Sequence, residues 1–364
     1  MYGPITGISH PKNPMRSMSR SRCRGAYIKQ HSGSKETGRL PRCSLLRPTH
    51  IPKPLLIPVS PSVSLSKGIL SMSGDTKNTE MSDNLSVLAY EELALGVTLG
   101  SFVEEGTKVA LAYKNQGEEY TALRHGTGLT DLSGCYSERL SGPVAQGFIE
   151  ATCAGQKLGV GECAFEPVLL GDSRIASIPL VARTGDQEYV LWDISASGDI
   201  LAAWLNFVAN INQNGFAPYQ GLEMEEVSQS LTPLLLWGEA ASEILSDYLK
   251  DGSAVPETNQ VHDALLDNHI PALIINMRIN DQPSLILLVP PQSAPVMFRS
   301  LLSFNTLTPV GLTAAAQVAA ENLEYLAPLS EAKPHEASKH DLMRQGLLRH
   351  EHDYIGARAL TVQE

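Results

Sequence analysis

The stretch that most constrains the fold runs from Glu118 to Cys153, EEYTALRHGTGLTDLSGCYSERLSGPVAQGFIEATC. Two kinds of periodicity alternate within it. Glu118–His125 has the spacing of a helix and is stopped by Gly126 and Gly128. A strand carrying Asp131-Leu132-Ser133 follows, then the turn Ser133-Gly134 and a second strand, Tyr136–Leu140. Pro143 is well placed as the first residue of a helix, because proline lacks the N–H that a first helical turn leaves unused. That helix puts Val144, Phe148 and Ile149 on one face. Helix, strand, turn, strand and helix thus occupy a single compact unit around which the rest of the chain is built.

The flanking segments continue the mixture. Asn84–Gly100 is apolar at helical spacing over its first half, and Val109–Tyr113 reads as a short strand. Ala164–Leu170, Arg174–Arg183 and Tyr189–Ile194 read as three strands joined by the turns Gly171-Asp172-Ser173 and Thr184-Gly185-Asp186. Ser195-Ala196-Ser197-Gly198 supplies small capping residues ahead of a helix over Asp199–Val208. A strand is expected over Val227–Trp237, then Gly238 and a helix over Ala240–Leu249. Ala272–Met277 and Ser284–Val289 are strands around the turn Asn280-Asp281-Gln282-Pro283, and helices are expected over Pro295–Leu302 and Thr313–Leu326. Hairpins and helices in this order give an α+β fold and not a regular βαβ repeat.

Composition separates the ends from the middle. Residues 1–80 hold 13 Lys and Arg against 3 Asp and Glu, while the remainder holds 15 against 36, for a net charge of −11. The first 80 residues are rich in Pro, Ser, Arg and Gly, and cannot bury enough apolar surface to offset the entropy of ordering. They are expected to be disordered. A transit peptide fits their basic, Ser-rich character, and a translation start at Met72 or Met81 fits the ordinary look of MSDNLSVLAYEELALG. A secretory signal does not fit, because no apolar core follows the N-terminus. Residues 81–330 form the folded region, and residues 331–364 a polar tail in which Leu342, Met343, Leu347 and Leu348 suit a short amphipathic helix.

A folded part this acidic argues against a broad cationic nucleic-acid surface. No apolar run approaches the roughly 20 residues that cross a bilayer. Five cysteines at irregular spacing, without a CxxC, fit buried free thiols in a reducing, cytoplasmic setting better than a disulfide framework or a zinc site. Neither GxGxxG nor GxxxxGK[ST] occurs, nor HExxH, nor GxSxG, so the corresponding phosphate, zinc and serine-nucleophile sites are not expected. Cys135 with His125 is a conceivable nucleophile pair, and His350-Glu351-His352 a conceivable metal contact. Asp131, before the turn Ser133-Gly134, is the carboxylate best placed for acid–base work. An Asp in that position also bonds its own backbone readily.

The order of these pieces carries a resemblance. Tyr113, Glu119, Ala122-Leu123-Arg124, Gly128-Leu129-Thr130-Asp131-Leu132-Ser133 and Leu140-Ser141-Gly142-Pro143 are similar to the aminomethyltransferase family, the glycine cleavage T-protein and its folate-binding relatives. Leu234–Gly238 with Ala241 and Leu245, Leu288-Val289-Pro290, Pro309-Val310-Gly311-Leu312 with Glu321, and Tyr354–Leu360 continue the likeness, which covers residues 85–360. The resemblance implies mixed sheets with flanking helices around a central cavity for tetrahydrofolate, onto which a methylene group passes from a lipoylated carrier protein. It places Asp131 as the candidate catalytic carboxylate and Tyr113, Ser133, Ser177 and Gln282 around a folate-like small molecule.

Several positions depart from the family pattern. Where the family carries a paired Asp-Asp after the hairpin turn, this chain has Ala176-Ser177. Gln282 falls near the position of the Glu that holds the pterin, Thr313–Ala316 replaces a segment with a basic residue, and Gly134-Cys135 replaces His-Met. The sequence ends just after Tyr354–Leu360, without the family's C-terminal barrel. Three readings follow: a folate-binding member with the usual catalytic groups lost, a divergent folate-dependent aminomethyl- or methyltransferase using Asp131 or Asp281, and a non-catalytic partner-binding scaffold.

Overall fold

A computed structural model of the chain describes residues 84–103, 106–113, 115–250, 252–279, 281–321, 333–336 and 338–362. All lie in the compact unit Pro61–Glu364. The disorder expected for residues 1–80 falls outside the described residues. In chain order the elements are α1 (Ala89–Ala94), β1 (Thr98–Ser101), β2 (Lys108–Ala112), α2 (Gln116–His125), β3 (Thr127–Asp131), β4 (Tyr136–Ser141) and α3 (Ala145–Thr152). There follow β5 (Cys163–Phe165), β6 (Val168–Leu169), β7 (Ile175–Ser177), β8 (Leu180–Gly185), β9 (Glu188–Asp193), α4 (Gly198–Ala209) and β10 (Glu223–Glu226). The second half holds β11 (Thr232–Gly238), α5 (Ala241–Ser246), β12 (Gln260–Leu266), β13 (Ile270–Ile279), β14 (Gln282–Val289) and α6 (Ala294–Leu301). It closes with β15 (Leu307–Pro309), α7 (Leu312–Ala320), α8 (Lys339–Arg344) and α9 (Ala357–Val362).

Two sheets dominate. One has the order β10-β4-β9-β8-β5 and the other β12-β13-β14-β11-β3-β15. Strand alternation sets which face each residue serves. In β11, Leu234 and Leu236 point to one side and pack with Ile244, Leu245, Met297 and Phe298 of α5 and α6. Leu235 and Trp237 point to the other side and join a core that also takes Val190 and Trp192 from the first sheet. Phe148, Leu201 and Leu205 of α3 and α4 cover the far face of that first sheet. The α+β expectation holds: α5 and α6 cover one sheet, α3 and α4 the other, and the broadest apolar core takes residues of both sheets together with α2, α7, α8 and α9.

Some boundaries differ from the sequence reading for identifiable reasons. Ala164–Leu170 breaks into β5 and β6 at Pro167, and Arg174–Arg183 into β7 and β8 at Pro179, since proline cannot donate to a ladder. The strand expected from Val227 begins at Thr232, after a 3-10 turn at Val227–Gln229. The residues expected as a polar tail carry α8 and α9 and bury Leu342, Leu348, Tyr354, Ala357 and Leu360 in the core between the sheets.

Candidate functional site

β3 is buried along its whole length, between β11 on one side and β15 on the other. It therefore delivers its last residue, Asp131, into the interior, where Asp131 is only 3% exposed. The Ser133 N–H donates to Asp131 Oδ1 at 2.8 Å, closing the turn that the sequence pattern anticipates. The Ser86 hydroxyl donates to Oδ2 in a short contact. Burial raises the Asp131 pKa, against the lowering effect of the hydrogen bonds from Ser133 and Ser86.

A second carboxyl group stands beside it. Glu92, on α1, accepts the Ala110 N–H at 3.1 Å through Oε2, while its buried Oε1 has no hydrogen-bond partner. Burial, and then the charge of Asp131, pushes its pKa up to about 8. Tyr113 is half-buried next to both; burial raises its hydroxyl pKa, helped by the charges of Glu92, Asp131 and Glu119. Glu119 holds this corner together by accepting the Tyr113 N–H at 2.7 Å and the Gly311 N–H at 2.9 Å.

The same local device recurs on the other sheet. β9 ends on Asp193, fully buried, whose Oδ1 accepts the Ser195 N–H at 2.9 Å. Ser195 Oγ in turn accepts the Ser197 N–H at 3.1 Å and lies 3.1 Å from Ser177 Oγ. Ser197 stands at the N-cap, just before α4, but its side chain makes no capping hydrogen bond, so its expected role as a cap is not taken up. Its hydroxyl is buried and has no partner. Burial raises the Asp193 pKa; the nearby hydroxyls of Ser177 and Ser195 oppose that push, although no bond of good geometry reaches Oδ2.

The two devices meet at β4. Its first residue, Tyr136, pairs with Asp193, and the preceding Cys135 feels both Asp193 and Asp131. Burial first, then those two charges, raises the Cys135 thiol pKa, so it is held as an un-ionised thiol and is a poor nucleophile. The proposed Cys135–His125 pair does not form. His125 is exposed at the end of α2, and the length of β3, roughly 17 Å, separates the two.

Of the residues singled out from sequence, Tyr113, Asp131 and Ser133 are therefore gathered at one point, and Ser177 joins them through Ser195, Asp193 and Cys135. Asp131, Ser133, Ser177, Asp193 and Ser195 are packed within the core, none more than 6% exposed. Gln282 is elsewhere. Asp131 pairs with Leu234, and Leu234 with Leu287, so Gln282 is five residues along β14 from that row, roughly 17 Å. Its amide donates to the Arg124 carbonyl at 2.9 Å. An open cleft of about 610 Å³ runs along the outer face of α2, past Asn115, Thr121 and His125.

Asp193 escaped the sequence reading because Ser195–Gly198 looked like helix-capping residues. The available signal was the repetition of Asp-x-Ser at Asp131 and Asp193, each closing a strand. His350 and His352 are exposed, and among the described residues no group of three or more His, Cys, Asp or Glu could hold a metal. Cys135, Cys153 and Cys163 are free and buried.

Comparison with known proteins adds the following. Residues 93–323 match the family model described as GCVT N-terminal domain. No curated protein matches the chain. Among solved structures, the fold is similar to the glycine cleavage system aminomethyltransferase T from Bartonella henselae, with a TM-score of 0.57 and 18% identity over 78% of this chain and 75% of that one. A heterotetrameric sarcosine oxidase from Corynebacterium sp. U-96 aligns with a TM-score of 0.33 and 16% identity over 65% of this chain and 94% of the other. The first supports a shared fold, and the second is too distant to carry weight.

Proposed function

The chain belongs to the GCVT N-terminal domain family, and from that premise we propose that it binds tetrahydrofolate or a related reduced pterin without performing aminomethyl transfer by the family's route. The observation that carries this reading is Ala176-Ser177 on β7, where the resemblance calls for a pair of carboxylates. Aminomethyl transfer needs negative charge held beside the reacting nitrogens. Loss of one preorganised group of that kind costs about 2.7–4 kcal/mol of transition-state stabilisation, or about a hundred- to a thousandfold in rate.

The remaining groups favour binding over turnover. Both oxygens of Asp131 are engaged, by Ser86 and by Ser133. The segment expected to offer a basic contact is Thr313–Ala316, whose alanines are packed in the core. Gln282 is committed to a backbone carbonyl and carries no charge. What Tyr113, Asp131, Ser133 and Ser177 supply is a set of hydrogen-bonding groups in a dry setting, suited to the polar edge of a pterin. Within this reading the lipoylated carrier is not a required partner.

Titration calorimetry of the full chain with tetrahydrofolate tests the binding half, with saturable heat expected. No heat and no thermal shift would remove folate from the picture. Incubation with tetrahydrofolate and an aminomethyl-lipoyl carrier tests the other half, with no release of ammonia above background expected. Turnover abolished by Asp131→Ala would instead favour the divergent transferase.

A further inference from the structure

We infer that residues 84–95 form a strap closed over Asp131, which lifts to admit a ligand, and that the carboxyl pair Glu92–Asp131 decides when it lifts. Asp131, Ser133 and Glu92 are 3%, 6% and 1% exposed, so a ligand from outside reaches this corner only if something moves. The strap itself fills the place. The Ser86 hydroxyl sits on Asp131 Oδ2, and Glu92 Oε2 takes the Ala110 N–H of β2 at 3.1 Å. What enters once the strap is open rests on the folate reading above; the opening does not.

Lifting this segment breaks little else. Of residues 84–95, Ser86, Leu88, Ala89 and Glu92 are buried, and two of these four are the polar groups at Asp131. Leu88 is the one large apolar side chain that the strap sends fully into the core. Two backbone bonds tie its start to β2: the Lys108 N–H donates to the Asn84 carbonyl at 2.7 Å, and the Ser86 N–H to the Lys108 carbonyl at 3.0 Å. β1, which follows, pairs among the described residues with β2 alone and buries none of its own residues. β3 is instead held between two strands. A segment with few buried apolar contacts opens at lower free energy than the fold as a whole.

The switch lies in uncompensated charge. Burial raises the pKa of both carboxyl groups, and the charge of Asp131 raises that of Glu92 further. The charges acting on the adjoining Tyr113 are those of Glu92, Asp131 and Glu119, and on Cys135 those of Asp193 and Asp131; all are negative. The cations on the elements touching α1 are Lys108 on β2 and Arg299 on α6. Arg299 is bonded to Glu91 at 2.7 Å, and neither cation opposes the raising of Glu92. In the open form Glu92 is solvated and returns to its ordinary value of 4.5. The closed form thus binds more protons, is fully favoured below about pH 4.5, and is lost as pH rises through about 8. Between those limits the ratio of open to closed strap rises by up to about tenfold per pH unit.

Hydrogen exchange of the full chain, read by mass spectrometry and corrected for the intrinsic effect of pH, tests the strap. Peptides covering residues 84–95 and 108–112 are expected to exchange through an opening that leaves β13 and β14 protected. Their protection should fall by up to about tenfold per pH unit from pH 6 to 8 in wild type and stay level in Glu92→Gln. Exchange only together with β13 and β14, or a pH dependence that survives in Glu92→Gln, overturns the inference. Circular dichroism shows whether Glu92→Gln is folded. Should it not be, Ser86→Ala decides: faster exchange of residues 84–95 than in wild type supports the strap, and equal exchange overturns it. Calorimetry with tetrahydrofolate separates this inference from the folate reading. Tighter binding at pH 8 than at pH 6 supports both, and equal binding at the two pH values overturns the strap as the entrance. No binding alongside pH-dependent exchange removes folate and leaves the strap standing.

Discussion

Glu92 and Glu166 put carboxyl groups where water is excluded, and this links stability to pH. Glu166 is 1% exposed; Oε1 accepts the Gln156 N–H at 3.0 Å and Oε2 has no partner. Burial pushes its pKa from 4.5 up to about 8, as it does that of Glu92. A carboxyl group whose pKa is raised on folding binds more protons in the native state, so its contribution is present below about pH 4.5 and is lost as pH rises through about 8. Urea denaturation is therefore expected to show falling stability between pH 5 and 8. Glu166→Gln, neutral throughout, should remove about one proton's share of that slope, about 1.4 kcal/mol per pH unit. An unchanged slope would mean that Glu166 is already ionised in the folded protein. Sequence alone could nominate Asp131, because an Asp two residues before a Ser-Gly turn has a local reason to be ordered. The repeated Asp-x-Ser could have pointed to Asp193, but nothing local nominates Glu92 or Glu166, whose importance arises from burial by strands distant in sequence.

At the scale of elements, Gly238 shows how tightly β11 leaves the sheet. Its φ is +133°, and an added Cβ would lie 2.0 Å from the Gly126 carbonyl oxygen. Gly238→Ala is expected to cost more than about 1 kcal/mol from the backbone alone, with the backbone clash adding to it. A melting temperature equal to wild type would show that the β11–α5 turn can rearrange. The strong apolar runs were legible: β11, β13 and β14 are expected from their branched aliphatic residues, and α2 from its stop at Gly126. β12 was not, because Gln260–Leu266 mixes polar residues with apolar ones and only Val261 and Leu266 are buried. The breaks at Pro167 and Pro179 follow from proline chemistry. β7 pairs with β6 and β8 with β5 and β9, and Ser177 at the end of β7 lies 3.1 Å from Ser195.

Across the whole molecule, residues 338–362 are part of the folded core. The Arg349 side chain is 5% exposed and its guanidinium donates to the carbonyls of Glu150, Cys153 and Gly155 at the end of α3 and to Asp353. Asp353 is drawn down to about 2 by its hydrogen bonds with Lys157 and Arg349. Arg349→Ala leaves three buried carbonyls without that donor and is expected to destabilise by about 3 kcal/mol in urea denaturation. Truncation before Ser338 removes Leu342, Leu348, Tyr354 and Leu360 from the core between the sheets and should abolish a single cooperative transition. A truncated chain that melts like the full one would contradict that packing. The likeness in sequence at Tyr354–Leu360 identified the segment; that it packs against α3 and β6 depends on tertiary contacts no local pattern encodes.

The most direct measurement of function is a crystal structure of the chain with tetrahydrofolate. Ligand density at the point where β3 and β9 end is expected, with the pterin ring beside Asp131 and Tyr113. Density confined to the outer cleft along α2, or none at saturating ligand, would contradict it.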